Sequence, residues 1–455
     1  MRTVANPSVA ILGGGLSGCA VAYSLALAGW RGITLVERGP RLGGLAGSFE
    51  VEGRFYPLGY HHILHRDRTL LFFLGRLGAL PRVRWRPIRM LFEERGRLFD
   101  LARPADMIAY PLPFLDKARL GALMLRAWTA RDWSSWEGRS AAELLDEWAG
   151  PRVREALFEP LTRLKFDLPC RDVSAAWMGE RLRYREGSAP LGFIPGTNWT
   201  TVLCEGLASQ LDGLGVEVRL NAAVERLVAR GGRAVEAELS SGARVAGDLV
   251  VSTLPTPAYA RLVPQDTTPE IGRVRYTALL SLVCATRQRL PREFYWLNLS
   301  SLAHAASGIF VLSALNPTIG APGDTCLNFV THLGGPDRTP FQLPEEELFE
   351  RYRQDLRALF GLELDAHWRH LSRIPLYSPV FARDYRNPPP RSATLANVHF
   401  AGTYRTHPSV ASTGTALQSG LECAERILAE HGRSNRLAAE ARSFRPPRGR
   451  AAAVA

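Results

Sequence analysis

Gly13, Gly14, Gly15 and Gly18 follow the apolar run Val9-Ala10-Ile11-Leu12, and Glu37 stands nineteen residues beyond the last of them. Glycines set between a buried-type strand and a proline-free, alanine-rich stretch, Leu16 to Ala28, are what a phosphate-binding turn requires. Gly13 permits the tight turn, Gly15 lets the backbone approach a pyrophosphate, and Gly18 lets helix and sheet pack closely. Leu16 and Ser17 then open a helix whose first N–H groups and dipole favour an anion. A second strand, Ile33-Thr34-Leu35-Val36, delivers Glu37 to where a ribose presents its hydroxyls. A carboxylate there accepts from both hydroxyls and repels a 2′-phosphate, so NADP is disfavoured.

A second glycine cluster follows almost at once, in Arg38-Gly39-Pro40-Arg41-Leu42-Gly43-Gly44-Leu45-Ala46-Gly47-Ser48-Phe49. An acid followed by Arg-x-Gly-Gly-x-x-x-Ser resembles the FAD-dependent amine oxidase, protoporphyrinogen oxidase and phytoene desaturase superfamily. The resemblance implies FAD as cofactor, with Arg38, Arg41, Gly43 and Gly44 about the pyrophosphate and ribityl region. Leu45 replaces an arginine that amine oxidases often carry, which leans toward the desaturase and protoporphyrinogen oxidase side. Three further segments, Gly59-Tyr60-His61-His62-Ile63, Glu159 to Phe166 and Phe294-Tyr295-Trp296-Leu297-Asn298, resemble a protoporphyrinogen oxidase-like branch.

The chain returns to this fold twice. Short runs from Val216 to Val245, broken by Gly231-Gly232 and Ser240-Ser241-Gly242, read as a strand and a meander, and Asp248 to Leu254 as another buried strand ending at Pro255. By resemblance the backbone at Val224 touches the adenine. Val398 to Thr403 reads as a strand, followed by Ser412-Thr413-Gly414-Thr415 and a helix with Leu417, Leu421, Ala424 and Leu428 on one face. By the same resemblance Gly402, Thr403, Thr413, Gly414 and Thr415 are expected at the flavin end, where a helix N-terminus stabilises negative charge on reduced flavin. Thr403 departs from the acid that relatives carry there, and Gly196-Thr197-Asn198 from their double glycine.

The expected fold is α/β, a segmented Rossmann-like FAD-binding domain with a mixed β-sheet plus helical substrate domain. Residues 1–95, 201–260 and 386–432 are assigned to cofactor binding, 96–200 and 261–385 to the substrate, and 433–455 to a disordered basic tail. Ser140-Ala141-Ala142-Glu143 looks like a capping box opening a helix to Trp148. Relatives place the segment containing Gly59 and Tyr60 beside the isoalloxazine, which makes His61 and His62 candidates to orient substrate or take a proton, against a purely structural role. Lys165, among Leu164, Phe166 and Leu168, is either a desolvated lysine near the flavin or a snorkelling one. Tyr60, Tyr295 and Trp296 could line an apolar pocket or simply fill a core.

The net charge of +12 is partly a property of the tail, where 433–455 holds six arginines against one glutamate. Only Lys117 and Lys165 are lysines, and no nucleic-acid-binding module or aromatic-interleaved basic repeat is present, so nucleic acid is not expected as a partner. The six cysteines, at 19, 170, 204, 284, 326 and 423, have neither C-x-x-C nor metal spacing, which implies reduced thiols and no metal. No apolar run of membrane-spanning length exists. The first strand begins close to Met1, leaving no room for a secretory signal, so a cytoplasmic protein is expected. Residues 105 to 128 mix apolar side chains with Lys117, Arg119 and Arg126, which suits either a helix over the pocket or peripheral contact with a membrane. The reaction expected is hydride removal from a C–H bond of a small apolar or amine-containing substrate, giving C=C or C=N. Without a second dinucleotide fingerprint, the electron acceptor is oxygen, a quinone or another carrier. A non-redox flavoenzyme resembling UDP-galactopyranose mutase is the alternative.

Overall fold

A computed structural model describes residues 7–184, 189–299 and 303–446. Its centre is a five-stranded parallel sheet in the order Val398–Phe400, Leu249–Ser252, Val9–Leu12, Ile33–Val36, Glu217–Arg219. Apart from the partly exposed edge strand Glu217–Arg219, these short strands are mainly apolar and buried because both faces of a parallel sheet are covered. Segments far apart in the chain thus meet side by side, with Val9 in register with both Leu249 and Ile33.

The helices Leu16–Leu27 and Thr413–Glu430 pack against each other at glycine distance. A Cβ on Gly420 would lie 2.4 Å from the carbonyl oxygen of Ser17, and Ser17 Oγ donates to the carbonyl of Ala416 at 2.8 Å. The meander is present as Val224–Arg230, Arg233–Leu239 and Arg244–Ala246, and the Ser140–Glu143 capping box opens the helix Ala141–Trp148.

Above this unit stands a seven-stranded mixed sheet, ordered Trp368–Pro379, Tyr276–Thr286, Thr325–Leu333, Gly308–Val311, Trp296–Leu299, Met90–Glu94, Arg97–Phe99. Met90–Glu94 falls in the stretch assigned to cofactor binding on sequence, yet it joins this sheet parallel to Trp296–Leu299. Its alternation of buried and half-buried residues suits a sheet with one packed face. The helices Phe114–Thr129, Ala141–Trp148 and Ala175–Tyr184 form a separate cluster whose core includes Trp133, Trp136 and Trp177. Among the described residues no helix is long and apolar enough to cross a membrane. All six cysteines are buried as free thiols.

One expectation needs correction. The tail from residue 433 is not disordered throughout, because Arg436–Ser443 is a helix docked on the cofactor unit. Asn435 caps it, accepting from Ala438 N at 3.0 Å, and the same amide accepts from Ser24 Oγ and donates to the Leu421 carbonyl. Arg442 makes two bonds to Glu425 at 2.7 and 2.8 Å. Leu437, Ala438 and Ala441 supply a buried stripe too short to stand out among alanines and arginines. Residues 447–455 lie outside the described residues.

Removing that stripe should cost stability. Leu437→Ala is expected to lower the free energy of unfolding by about 2–4 kcal/mol, as for other buried leucines, read as a shift in the denaturation midpoint. Truncation after residue 432 should lower it further, whereas an unchanged midpoint would mean that the helix does not dock.

Candidate active site

The two glycine turns are stitched into one surface. Gly43 N donates to the Gly14 carbonyl at 2.8 Å, and Gly15 and Gly43 pair as an isolated parallel bridge. Side chains are excluded from most of this turn. A Cβ on Gly18 would lie 2.0 Å from the Gly13 oxygen, one on Gly14 2.5 Å from Leu42, and one on Gly43 2.5 Å from Cys204 Sγ. Gly13 and Gly43 also hold φ of +106° and +122°, which side chains rarely adopt.

Gly15 differs from its neighbours. Nothing lies within 4 Å of where its Cβ would be, so its close-approach role is toward open space. Gly15 is also the N-cap of Leu16–Leu27, with no side chain capping the helix. The first-turn N–H groups, which have no intrahelical acceptors, therefore face the same opening.

Glu37 borders that opening. One carboxylate oxygen accepts from Gly14 N and the other from Gly39 N, both at 2.8 Å, and each retains a lone pair for a ribose hydroxyl. Ala222 N donates to the Glu37 carbonyl and Asn221 N to that of Gly39, which brings Val224 close to the same strand end. Arg38 is exposed. Arg41 is ion-paired with Glu50 at 3.3 Å and lies over Phe55. An uncapped helix, an unfilled glycine cradle and a strand-end carboxylate form a donor set that fits FAD.

The C-terminal turn is more committed than the sequence suggests. Gly402 N donates to Ser419 Oγ at 2.9 Å, and Thr403 begins a single helical turn over the buried Tyr404. Thr413 and Gly414 open the long helix, but the Thr415 hydroxyl is used in a capping box with Ser412 and donates to the Val410 carbonyl. Gly414 lies against the Asp67 carboxylate, where a Cβ would meet Oδ1 at 1.9 Å. At the other departure from the family pattern, Asn316 Nδ2 donates to the Ile194 and Thr197 carbonyls, both at 3.0 Å.

Between the glycine surface and the seven-stranded sheet lies a small chamber lined by Tyr60, His61, Asn198, Trp199, Tyr295 and Asn316. His61 spans the boundary, donating from Nε2 to the Leu45 carbonyl at 2.8 Å. Burial lowers its imidazole pKa. His62 turns the other way, its ring stacked on Trp296 and edge-on to Tyr295, with a buried Nε2 that has no partner. Burial, with His61 and Arg181 nearby, pushes His62 down to about 3, so it is neutral at physiological pH.

Tyr60 stacks on Phe310 and its hydroxyl lies 3.3 Å from His332 Nε2. The Tyr377 phenol lies close to that of Tyr60. Lys165 comes from the helix Glu159–Phe166, which packs beside the strand carrying His332. Burial first, then Arg181, lowers it to about 7.

His61 thus lines the chamber, His62 packs against its Tyr295 wall, and Lys165 lies near Arg181 and His332. Sequence reading missed Arg181, His332 and Tyr377. Arg181 had a signal, standing four residues after Trp177 on a helix with buried Met178 and Leu182. His332 and Tyr377 acquire their place only through sheet pairing.

Comparison with known proteins agrees with this architecture. Residues 16–428 match the family of flavin containing amine oxidoreductases, and the chain belongs to that family. It is 22% identical to a tomato (Solanum lycopersicum) 15-cis-phytoene desaturase over 475 aligned positions, 95% of this chain and 80% of that protein. An Exiguobacterium protein described as a protoporphyrinogen oxidase superposes with a TM-score of 0.76 at 20% identity, covering 93% of this chain and 99% of the other. Putrescine oxidase bound to putrescine gives 0.68 at 15% identity, covering 93% and 99%. The chain is an FAD-dependent oxidoreductase.

Glu37→Ala should weaken FAD binding by about 1–3 kcal/mol, the scale of lost charge-assisted hydrogen bonds. Titration of apoprotein with FAD by fluorescence measures it, and unchanged affinity would move the ribose away from Glu37.

Proposed function

We propose that the enzyme removes a hydride from a C–H bond of a small organic substrate held in the chamber, leaving a C=C or C=N bond. The observation that carries this reading is the His61–Leu45 bond, which ties the wall of the chamber to the second glycine turn. FAD, when bound, supplies the hydride acceptor. It would be held by Gly13, Gly15, Leu16, Ser17, Gly18 and Glu37 at its adenosine and pyrophosphate end. Arg38, Arg41, Gly43, Gly44, Leu45, Gly59, Tyr60, Val224, Gly402, Thr403, Thr413, Gly414 and Thr415 complete the groove.

The residues then divide the work. His61 positions the glycine turn through its Nε2–H, which is engaged by the Leu45 carbonyl. Neutral His62, against Trp296 and Tyr295, orients the substrate with its free Nε2. Lys165 takes the proton that leaves when the double bond forms, since an amine with a pKa near neutral is partly unprotonated at working pH. The aromatic wall keeps water from the reacting bond. Oxygen, a quinone or another carrier then collects the electrons.

Lys165→Met and His62→Gln should retain FAD and its oxidised spectrum while slowing anaerobic flavin reduction about tenfold or more, a barrier rise of about 1.4 kcal/mol. In the wild type the rate should climb as pH rises through about 7 and level off once Lys165 is neutral. Lys165→Met should lose that inflection. His61→Ala should instead lower flavin content. Turnover only after prior reduction of the flavin, without net oxidation, would replace this reading with a non-redox one.

We also infer peripheral contact with a lipid bilayer. Ile108 and Phe114 are 75% and 87% exposed, with Leu115, Leu125 and Trp128 exposed beside them, and Lys117, Arg119 and Arg126 interleave with them along one helical pair. Apolar side chains with interleaved cations suit an anionic membrane surface. Vesicles containing phosphatidylserine should co-sediment with the protein, and Phe114→Asp with Leu115→Asp should abolish this. Equal sedimentation of wild type and variant would remove the patch from that role.

A further inference from the structure

Asn316 lines the chamber, yet its polar atoms are turned into the protein. It is 5% exposed. Its Nδ2 donates to the carbonyls of Ile194 and Thr197, both at 3.0 Å, and its Oδ1 accepts from Thr318 N at 3.3 Å and from Thr318 Oγ1 at 3.0 Å. Two carbonyls on one side and a backbone N–H on the other fix which end of the amide is nitrogen. Thr318 Oγ1 accepts in turn from Gly196 N at 2.7 Å. Residues 194–198 are therefore gripped from the sheet side at three backbone groups.

The second glycine turn grips the same segment from the other side. Asn198 is the N-cap residue of the helix Trp199–Gly213 but makes no capping bond. Its Nδ2 donates instead to Ser48 Oγ at 2.8 Å and Thr200 Oγ1 at 2.6 Å. An asparagine at this position ordinarily bonds its own helix, so the helix forgoes a cap while the segment gains a tie to the serine of Arg-x-Gly-Gly-x-x-x-Ser. Trp199 Nε1 adds a bond to the His61 carbonyl at 3.4 Å. Farther along the helix, Cys204 Sγ closes the space at Gly43, where a Cβ would meet it at 2.5 Å.

We propose that Asn316 is a positioning residue: through residues 194–198 it sets the spacing between the sheet wall of the chamber and the second glycine turn, and so fixes the surroundings of the isoalloxazine. This rests on the chamber being the substrate side of the flavin. Asn316 closes the helical turn Leu312–Leu315, which follows the strand Gly308–Val311. Phe310 on that strand packs against Tyr60 and Trp296, so the grip of Asn316 is referenced to the aromatic wall. A buried amide with both ends bonded has one arrangement, and losing its nitrogen leaves two carbonyls without that donor.

The test uses FAD-loaded enzyme and two readouts, the visible circular dichroism of the flavin and backbone hydrogen–deuterium exchange followed by mass spectrometry. The isoalloxazine is achiral, so its circular dichroism reports how firmly its surroundings are fixed. Asn316→Ala should retain FAD and weaken that signal, as should Asn316→Asp, which sets an oxygen against both carbonyls at unchanged shape. In both variants exchange should quicken about tenfold or more in 194–198 and also in 43–48. Thr318→Ala, which removes the tie to Gly196, should move both readouts the same way by less. Leu437→Ala, remote and destabilising, controls for a general loss of stability and should move neither. Unchanged readouts, faster exchange confined to 194–198 with an unchanged flavin signal, equal effects of Leu437→Ala, or loss of FAD from all the Asn316 and Thr318 variants would overturn the proposal. Failure of the redox reading is separable: no substrate would then reduce the flavin, while both readouts would still depend on Asn316.

Discussion

Everything in this enzyme is arranged around the contact of two glycine turns. The Gly43 N–H reaches the Gly14 carbonyl, and Glu37 clamps the first turn to the residue that starts the second by accepting from Gly14 and Gly39. Side chains larger than hydrogen would collide at Gly14, Gly18 and Gly43. The open space at Gly15 is the counterpart of that crowding. Because its neighbours have no room to shift, the uncapped helix end is held facing one direction, as a preorganised anion site requires.

The chamber is governed by a different constraint, the cost of removing polar groups from water. His62, Lys165, Arg181 and His332 are all displaced from their ordinary protonation behaviour, and burial is the first cause for each. Perturbed groups gathered in one place mark a functional site better than any one of them alone. His61 connects the two constraints. Its bond to the Leu45 carbonyl makes the position of the chamber wall depend on the position of the glycine turn.

Much of the cofactor half was legible because its requirements are local. Strands at Val9–Leu12 and Ile33–Val36, the helix after Gly15 and the capping box at Ser140 each follow from residues a few positions apart. The chamber is not local. Arg181, His332 and Tyr377 come from one helix and two strands that meet only once the large sheet has formed. Lys165 was visible, but whether it snorkels or stays unpaired depends on where Glu159 and Asp167 find partners. The Arg436–Ser443 helix was hidden for a related reason: its short buried stripe needs a groove between helices supplied by other segments.

A crystal structure of the FAD-bound enzyme tests the central claim most directly. The account predicts the pyrophosphate over Gly15, a ribose hydroxyl on Glu37, and the isoalloxazine at the mouth of the chamber, within reach of His62 and Lys165. An isoalloxazine lying away from that chamber, with His62 and Lys165 walled off from it, would contradict the account even if the adenosine end were placed as described.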